Sequence, residues 1–250
     1  MDKKRLDVEL THRKLTSTRS QAESWIKLGK VIVNGQVVTR PGFFVSPKAE
    51  INLDAKEQYV SRAGLKLASV ANLLNLDFKD KTVLDIGSST GGFTDYSLKH
   101  GAKKVYSVDV GTDQLHPSLQ GHPKIELHEK TDIRDFYTDD KPDITVIDVS
   151  FISLREILPH VARELSSPTT QIVAMVKPQF EAGRDQTNKG VIKNDAVRRQ
   201  ILKDFEIWSK DRFVIRDKRD SEVSGAKGNQ ERFYLLTLNL NSTTSPGRIT

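Results

Sequence analysis

The stretch Asp85-Ile86-Gly87-Ser88-Ser89-Thr90-Gly91-Gly92-Phe93 joins an apolar run to a helical one, and Gly87, Gly91 and Gly92 make it the segment best suited to wrapping backbone around a ligand. Glycine permits a tight turn and a close backbone approach, as in the first loop of nucleotide-binding sheets. The next apolar run ends in Asp109-Val110, about twenty residues on, where a carboxylate can accept both hydroxyls of an adenosine ribose. Thr131-Asp132-Ile133 supplies a further carboxylate after a third apolar run. Neither G-x-G-x-x-G nor G-K-[ST] is present, so S-adenosylmethionine is favoured over a dinucleotide or ATP. Two plainer roles compete: Asp109 as a strand-end turn residue and Asp132 as a helix N-cap.

A second set of polar residues stands at the ends of later apolar runs. Asp148 lies in Ile147-Asp148-Val149-Ser150-Phe151, Lys177 in VKPQFE, Glu231 in GNQERF, and Lys66 in SRAGLKL near the start of the same region. Glu222 flanks the same Gly-rich loop as Glu231 and is its alternative. The chain has no cysteine, which excludes disulfides, thiolate metal sites and the cysteine nucleophile used to methylate carbon-5 of pyrimidines. The N-P-P-[YF] loop of many amino methyltransferases is also missing. The six histidines have no ligand-like spacing, so no metal is expected.

These residues need rigid elements beneath them. Val83–Ile86, Val105–Val108, Ile125–Leu127, Ile144–Ile147 and Ile172–Val176 read as strands, several too apolar for a sheet wetted on one face. Helical stretches at 94–100, 153–165 and 195–209 alternate with them, and a helix opening at Ser61 carries Lys66 near the edge of an apolar face of Leu67, Ala71 and Leu74. The pattern is α/β, with a mainly parallel sheet covered on both sides. Phe213–Ile215 and Phe233–Leu240 follow with only a loop between them, as an antiparallel pair would.

The first 48 residues differ in character. They hold ten Lys or Arg against four Asp or Glu, an excess equal to the +6 of the whole 250-residue chain. Here a short helix at 5–11 precedes a helix start at Thr18-Arg19-Ser20. A helix over 21–28 should then end at Gly29. A hairpin is expected from Val31–Val33 and Gln36–Val38 around Asn34-Gly35, whose type I′ turn needs positive φ at both positions. Arg5, Arg13, Lys14, Arg19, Lys27 and Lys30 form a stripe able to contact phosphates. The boundary is placed at residue 57, giving units of 1–57 and 58–240, with 241–250 a polar, disordered tail. No signal peptide and no apolar run of about 20 residues is present, so a cytoplasmic protein without membrane contact is expected.

RLDVEL, TSTRSQAESWIKLGKVIVNGQVV and PGFFVSPKAEI resemble the αL RNA-binding domain of a small-subunit ribosomal protein, pseudouridine synthases and tyrosyl-tRNA synthetases. Lys66, Asp148, Lys177 and Glu231 resemble the Lys-Asp-Lys-Glu tetrad of ribose 2′-O-methyltransferases of the FtsJ type. SRAGLKL, DIGSSTGGFTD, VDVG, DVSFISL, VKPQFE and GNQERF, behind the αL domain, resemble the TlyA family, whose members also bear the name hemolysin A. That resemblance implies a class I (Rossmann-like) methyltransferase fold with a seven-stranded, mostly parallel sheet preceded by a small α+β RNA-binding domain. It implies S-adenosylmethionine as cofactor, with Asp132 placed to hold the adenine amino group. It also implies ribosomal RNA or ribosomal subunits as partner, and 2′-O-methylation of cytidine. Lys177 would be the base, since a lysine whose pKa is lowered by burial or a neighbouring cation can draw a proton from a ribose hydroxyl. Lys66 would supply positive potential, and Asp148 and Glu231 would orient the lysines. A noncatalytic RNA-binding assembly factor and a membrane-active hemolysin are the rival readings; no convincing membrane-active segment supports the latter.

Overall fold

The computed structural model describes residues 3–16, 19–27, 29–54, 59–182, 190–192, 194–223, 225 and 228–241. The expected helix start at Thr18, its end at Leu28, the boundary at 57/58 and the tail beyond Asn241 lie outside these residues.

The first unit runs β1 (Lys4–Arg5), α1 (Leu6–His12), α2 (Arg19–Lys27), β2 (Val31–Val33), β3 (Gln36–Val37), β4 (Phe44–Val45) and β5 (Ile51–Leu53). Asn34 and Gly35 take φ of 47° and 82°, as the predicted hairpin requires. β5 pairs with the free side of β2, and β1 pairs with β4. Strands of two or three residues are too short to show alternation, which is why β1, β4 and β5 are not legible in the sequence. Leu6, Leu10, Ala22, Trp25 and Ile26 recur at helical spacing and are buried with Val31, Val33, Val45 and Ile51.

The expected basic stripe divides on folding. Arg5 donates twice to the buried Asp7 carboxylate, at 3.0 and 2.9 Å, and Arg19 Nε donates to it at 2.8 Å. Arg13 donates to Glu9, Ala49 O and Pro47 O, stapling α1 to the segment before β5. Lys14, Lys27 and Lys30 stay exposed. Burial alone would raise the Asp7 carboxyl, but the hydrogen bonds from Arg5 and Arg19 outweigh it and hold the group at about 2. With the folded value below the ordinary 3.8, this stabilisation is present above that pH and lost as pH falls through about 2. Asp7→Asn is therefore expected to destabilise the unit by about 1 kcal/mol, kept small because both arginines are half exposed. Urea midpoints at pH 7 and pH 2.5 test this, and an equal effect at both would rule out the charged pairing as its source.

The second unit runs α3 (Arg62–Ala71), β6 (Thr82–Ile86), α4 (Gly92–Lys99), β7 (Lys104–Val108), β8 (Ile125–His128), β9 (Ile144–Ile147), α5 (Leu154–His160), β10 (Gln171–Val176), α6 (Pro178–Glu181), α7 (Asp195–Ser209), β11 (Phe213–Asp220) and β12 (Arg232–Leu238). The sheet order is β8-β7-β6-β9-β10-β12-β11, parallel from β8 to β10, with β12 antiparallel to both its neighbours. This is the seven-stranded sheet expected. Three details differ from the sequence reading. The crossovers into β8 and β9 show only the short 3₁₀ turns Pro117–Leu119 and Ile133–Asp135. The helix expected to 165 is α5, which contains Pro159 and continues as a π turn over Val161–Leu165. β11 extends to Asp220 past a register shift between Ile215 and Asp217, and its charged second half hides the strand period on an exposed edge.

Alternate strand residues feed two cores. Leu84, Ile86, Ile147, Ala174, Val176 and Tyr234 face α5 and α7. Val83, Val146, Val173, Met175 and Phe233 face α3 and α4, and that cluster continues through Tyr59 into the buried residues of the first unit. Gln21 Nε2 also donates to Tyr59 O at 2.9 Å.

Candidate active site

The site lies where the chain order reverses, between β6 and β9. From this pair the chain runs outward through β7 and β8 on one side and through β10 on the other, which leaves a crevice at the strands' carboxyl ends. Ile86 pairs with Ile147, so Gly87 and Asp148 leave the sheet at one level. Val176 pairs with Arg232 in the antiparallel strand, which brings Lys177 and Glu231 to the same rim.

Gly87 has φ 80°, and a Cβ there would stand 2.8 Å from Asp148 O, so only glycine allows the two loops this approach. Ser89, at φ 46°, donates its amide to Asp109 Oδ2 at 2.8 Å, while the Gly111 amide donates to Oδ1 at 2.7 Å. Asp109 thus fastens the glycine loop, the turn role, and also lines the cavity. Gly91 and Gly92 serve packing. A Cβ on Gly91 would meet Leu119 at 2.6 Å, and one on Gly92 would meet Ser61, Ala63 at 2.7 Å and Gly64 N at 2.8 Å, where α3 crosses α4. Phe93 is likewise a core residue, 6.2 Å between centroids from Phe233, although it borders the inner cavity.

An outer cavity of about 380 Å³ is lined by Gly87, Ser89, Asp109, Val110, Asp132, Ile133 and Phe151, among others. An inner one of about 160 Å³ shares Gly87, Ser89, Asp148 and Ser150 with it and adds Asp85, Ser88, Thr90 and Lys177. Asp132 accepts the Arg134 amide at 2.9 Å and pairs with the Arg134 guanidinium at 2.6 Å, so it caps the 3₁₀ turn as well as lining the cavity. Asp85 is wholly buried. Its Oδ2 accepts from Thr94 Oγ1 at 2.6 Å; with that proton committed, the 2.7 Å contact between Thr94 and Ser107 has Ser107 as donor. Its Oδ1 has no partner in the described structure. Burial pushes the Asp85 carboxyl up to about 7, against the Thr94 hydrogen bond and with repulsion from Asp148 and Asp109. A buried, unpartnered carboxylate oxygen beside a small cavity fits a cationic donor group on a ligand.

The four charged residues singled out in the sequence form two ion pairs. Lys177 Nζ stands 2.6 Å from Asp148 Oδ1 and donates to Ser150 Oγ at 2.8 Å; the side chains of Lys177 and Asp148 are 9% and 14% exposed. Lys66 Nζ stands 2.5 Å from Glu231 Oε2, with exposures of 8% and 2%. Both carboxylate contacts are close in distance, but neither has hydrogen-bond alignment. Lys66 is deeper than a helix-edge reading implies, because Gly64 and Gly92 draw α3 onto α4; Leu74 lies beyond the end of α3. Glu222 is exposed, and Glu231 takes the pairing.

Two features escape the sequence reading. Phe151 is 91% exposed at the cavity rim with φ 67°, its ring 5.1 Å from Phe180. Gln114 accepts from Ser89 Oγ at 3.0 Å and closes one side of the outer cavity. The DVSF and DQL contexts carried signals in an unpaired aromatic and a polar residue beside Asp109, but nothing local says which way they face.

Residues 59–238 match the FtsJ-like methyltransferase family, and residues 4–51 match the S4 domain. The 23S rRNA (cytidine-2'-O)-methyltransferase TlyA of Campylobacter jejuni is 40% identical over 186 residues, covering 73% of this chain and 72% of that one. The 16S/23S rRNA (cytidine-2'-O)-methyltransferase TlyA of Mycobacterium tuberculosis is 36% identical, covering 76% and 73%. A solved structure from Streptococcus thermophilus that carries the name hemolysin superimposes with a TM-score of 0.71 at 38% identity, covering 96% of this chain and 90% of that one. Among the described residues no helix is long and apolar enough to cross a membrane. With both domains matched in order and relatives alike over most of their length, the chain belongs to the TlyA family, an S4 domain followed by an FtsJ-like methyltransferase domain.

Proposed function

We propose that this protein transfers a methyl group from S-adenosylmethionine to the 2′-hydroxyl of a cytidine in ribosomal RNA, acting in the cytoplasm on ribosomal subunits. The observation that carries the reading is Lys177: nine-tenths buried, paired with Asp148 and Ser150, and lining the same small cavity as the unpartnered oxygen of Asp85. The base identity and the RNA class follow the names of the relatives.

In this reading the outer cavity takes the adenosine of the cofactor, with Asp109 toward the ribose hydroxyls, Asp132 toward the adenine amino group, and Val110 and Ile133 as apolar walls. The inner cavity takes the amino-acid end, its ammonium on Asp85. The bound cofactor supplies a methyl group activated on a sulfonium, which leaves the protein chiefly proximity, orientation and charge to provide. Lys177 acts as the free amine, having first given up the ammonium proton to solvent, and takes the proton from the ribose hydroxyl; Lys66 stabilises the negative charge that develops on that oxygen, and Asp148 and Glu231 each hold one lysine in place. Phe151 offers an aromatic face at the mouth, where a base next to the reacting ribose can stack.

The test is transfer of labelled methyl from S-adenosylmethionine to separate ribosomal subunits and to naked RNA, followed by nucleoside analysis. Labelled 2′-O-methylcytidine is the expected product. Cofactor binding without incorporation into any RNA would sink the proposal and favour an RNA-binding assembly factor. A second measurement addresses the first unit, where the exposed Lys14, Lys27 and Lys30, rather than the arginines engaged within it, are the proposed phosphate contacts. Replacing all three with alanine is expected to raise the KM for RNA about 10-fold and to reduce the salt slope of binding by about 3. An unchanged slope would place the RNA elsewhere.

A further inference from the structure

The VKPQFE segment ends on a carboxylate that the site described above does not use. Glu181 closes α6, four positions after Lys177, and its side chain is 1% exposed. It reaches across to the loop that follows β9: Ser153 Oγ donates to Oε2 at 2.6 Å and the Leu154 amide donates to Oε1 at 2.7 Å. Arg155 Nε stands 3.6 Å from Oε2, without hydrogen-bond alignment. Burial pushes the Glu181 carboxyl up against the two hydrogen bonds. Taking a carboxylate out of water is costly, and Glu181 adds to a helix start that Ser153 already caps by accepting the Arg155 amide at 3.1 Å.

What Glu181 joins is two loops that each carry part of the site. Residues 148–153 hold Asp148, Ser150 and Phe151, and residues 177–181 hold Lys177 and Phe180. Lys177 ties the loops at the cavity, the Phe151 and Phe180 rings meet at the rim, and Glu181 ties them at the foot of α5. Between these ties Phe151 adopts φ 67°, a conformation that a bulky residue keeps only where its surroundings over-determine it. We propose that Glu181 is a positioning residue for methyl transfer: by holding Ser153 and Leu154 it fixes the 148–153 loop against Lys177, which keeps Asp148 at the lysine and Phe151 in its reversed conformation. This rests on the roles given above to Lys177 and Asp148.

Three variants separate a positioning role from a merely structural one. Glu181→Gln removes the charge but keeps a contact to each group, its amide oxygen accepting from Leu154 and its NH₂ donating to Ser153 Oγ in a reversed hydrogen bond. Glu181→Ala removes both bonds, and Glu181→Asp keeps the charge but cannot reach both donors. Single-turnover transfer at saturating RNA and cofactor is expected to fall by about 10-fold or more in the alanine and aspartate variants, the scale on which small misplacements cost rate. S-adenosylmethionine affinity should stay within about 3-fold, and the glutamine variant should transfer at about the wild-type rate. Wild-type rates in the alanine or aspartate variant would overturn the proposal. So would a glutamine variant as slow as alanine, or rate and cofactor affinity lost in equal proportion. If alanine prevents folding, the aspartate and glutamine pair decides alone. Lys177→Ala run in parallel keeps the two questions apart: if it still transfers, the catalytic assignment fails; if it is dead while the Glu181 variants are normal, only this proposal fails.

Discussion

Lys177→Ala is expected to lower the single-turnover rate of methyl transfer by about 10²- to 10⁴-fold, the range over which a positioned proton-transfer group acts. The side chain stands between Asp148 and the inner cavity, so its loss removes the amine proposed to accept the ribose proton and leaves the Asp148 carboxylate without its partner. Both changes raise the barrier. Cofactor affinity should stay within a few-fold, because the residues proposed to hold the cofactor (Asp85, the 87–90 loop, Asp109 and Asp132) lie on β6 or in the turns after β6, β7 and β8. Rapid-quench measurement with labelled cofactor, beside calorimetric titration of the cofactor alone, separates the two. A variant that keeps more than about a tenth of the rate would remove Lys177 from the base's role.

Asp85→Asn should act on binding instead, weakening S-adenosylmethionine affinity by about 10- to 100-fold, the worth of a hydrogen bond to a charged group. The pH dependence makes the prediction specific. Since burial lifts the Asp85 carboxyl to about 7, the carboxylate that receives an ammonium is depleted below that pH. Affinity should therefore rise by about tenfold per unit from pH 5 toward 7, then level off until the cofactor's own amino group titrates near 8. In folding without cofactor the sign is opposite. A folded pKa above the ordinary 3.8 means that Asp85 favours the folded chain at low pH and that this contribution is lost as pH rises through about 7. Calorimetric titration between pH 5 and 8 checks both variant and wild type. Equal pH profiles in the two would show that another group governs cofactor capture.

Much of the architecture is written in consecutive residues. Valine and isoleucine runs broken by helical spacing mark β6 to β10; Asn34-Gly35 marks its hairpin; the DIGSSTGGF loop announces a turn into a helix after the first strand of the sheet. Periodicity and turn chemistry act over a few neighbours, so a single sequence exposes them. The same locality hid β1, β4 and β5, which are too short to show a period. It also obscured the second half of β11, whose charges follow an exposed edge rather than an alternating core face.

For the site, the sequence by itself determined which residue types stand at the strand ends and in what order. Asp109, Asp148 and Lys177 follow apolar runs and Glu231 precedes one, and parallel strands with an antiparallel neighbour deliver such ends to one rim, while Asp85 lies within β6 and Lys66 on α3. Only the tertiary structure decided their partners. The antiparallel register of β12 on β10 sets Glu231, not Glu222, on Lys66, and the approach of α3 to α4 requires a glycine at position 92 for packing alone. Folding engages Arg5, Arg13 and Arg19 in ion pairs with Asp7 and Glu9 while leaving Arg5 and Arg19 about half exposed. Each outcome depends on groups far apart in the chain and a few ångströms apart in space, where short-range electrostatics and packing select one arrangement among several that local sequence leaves equivalent.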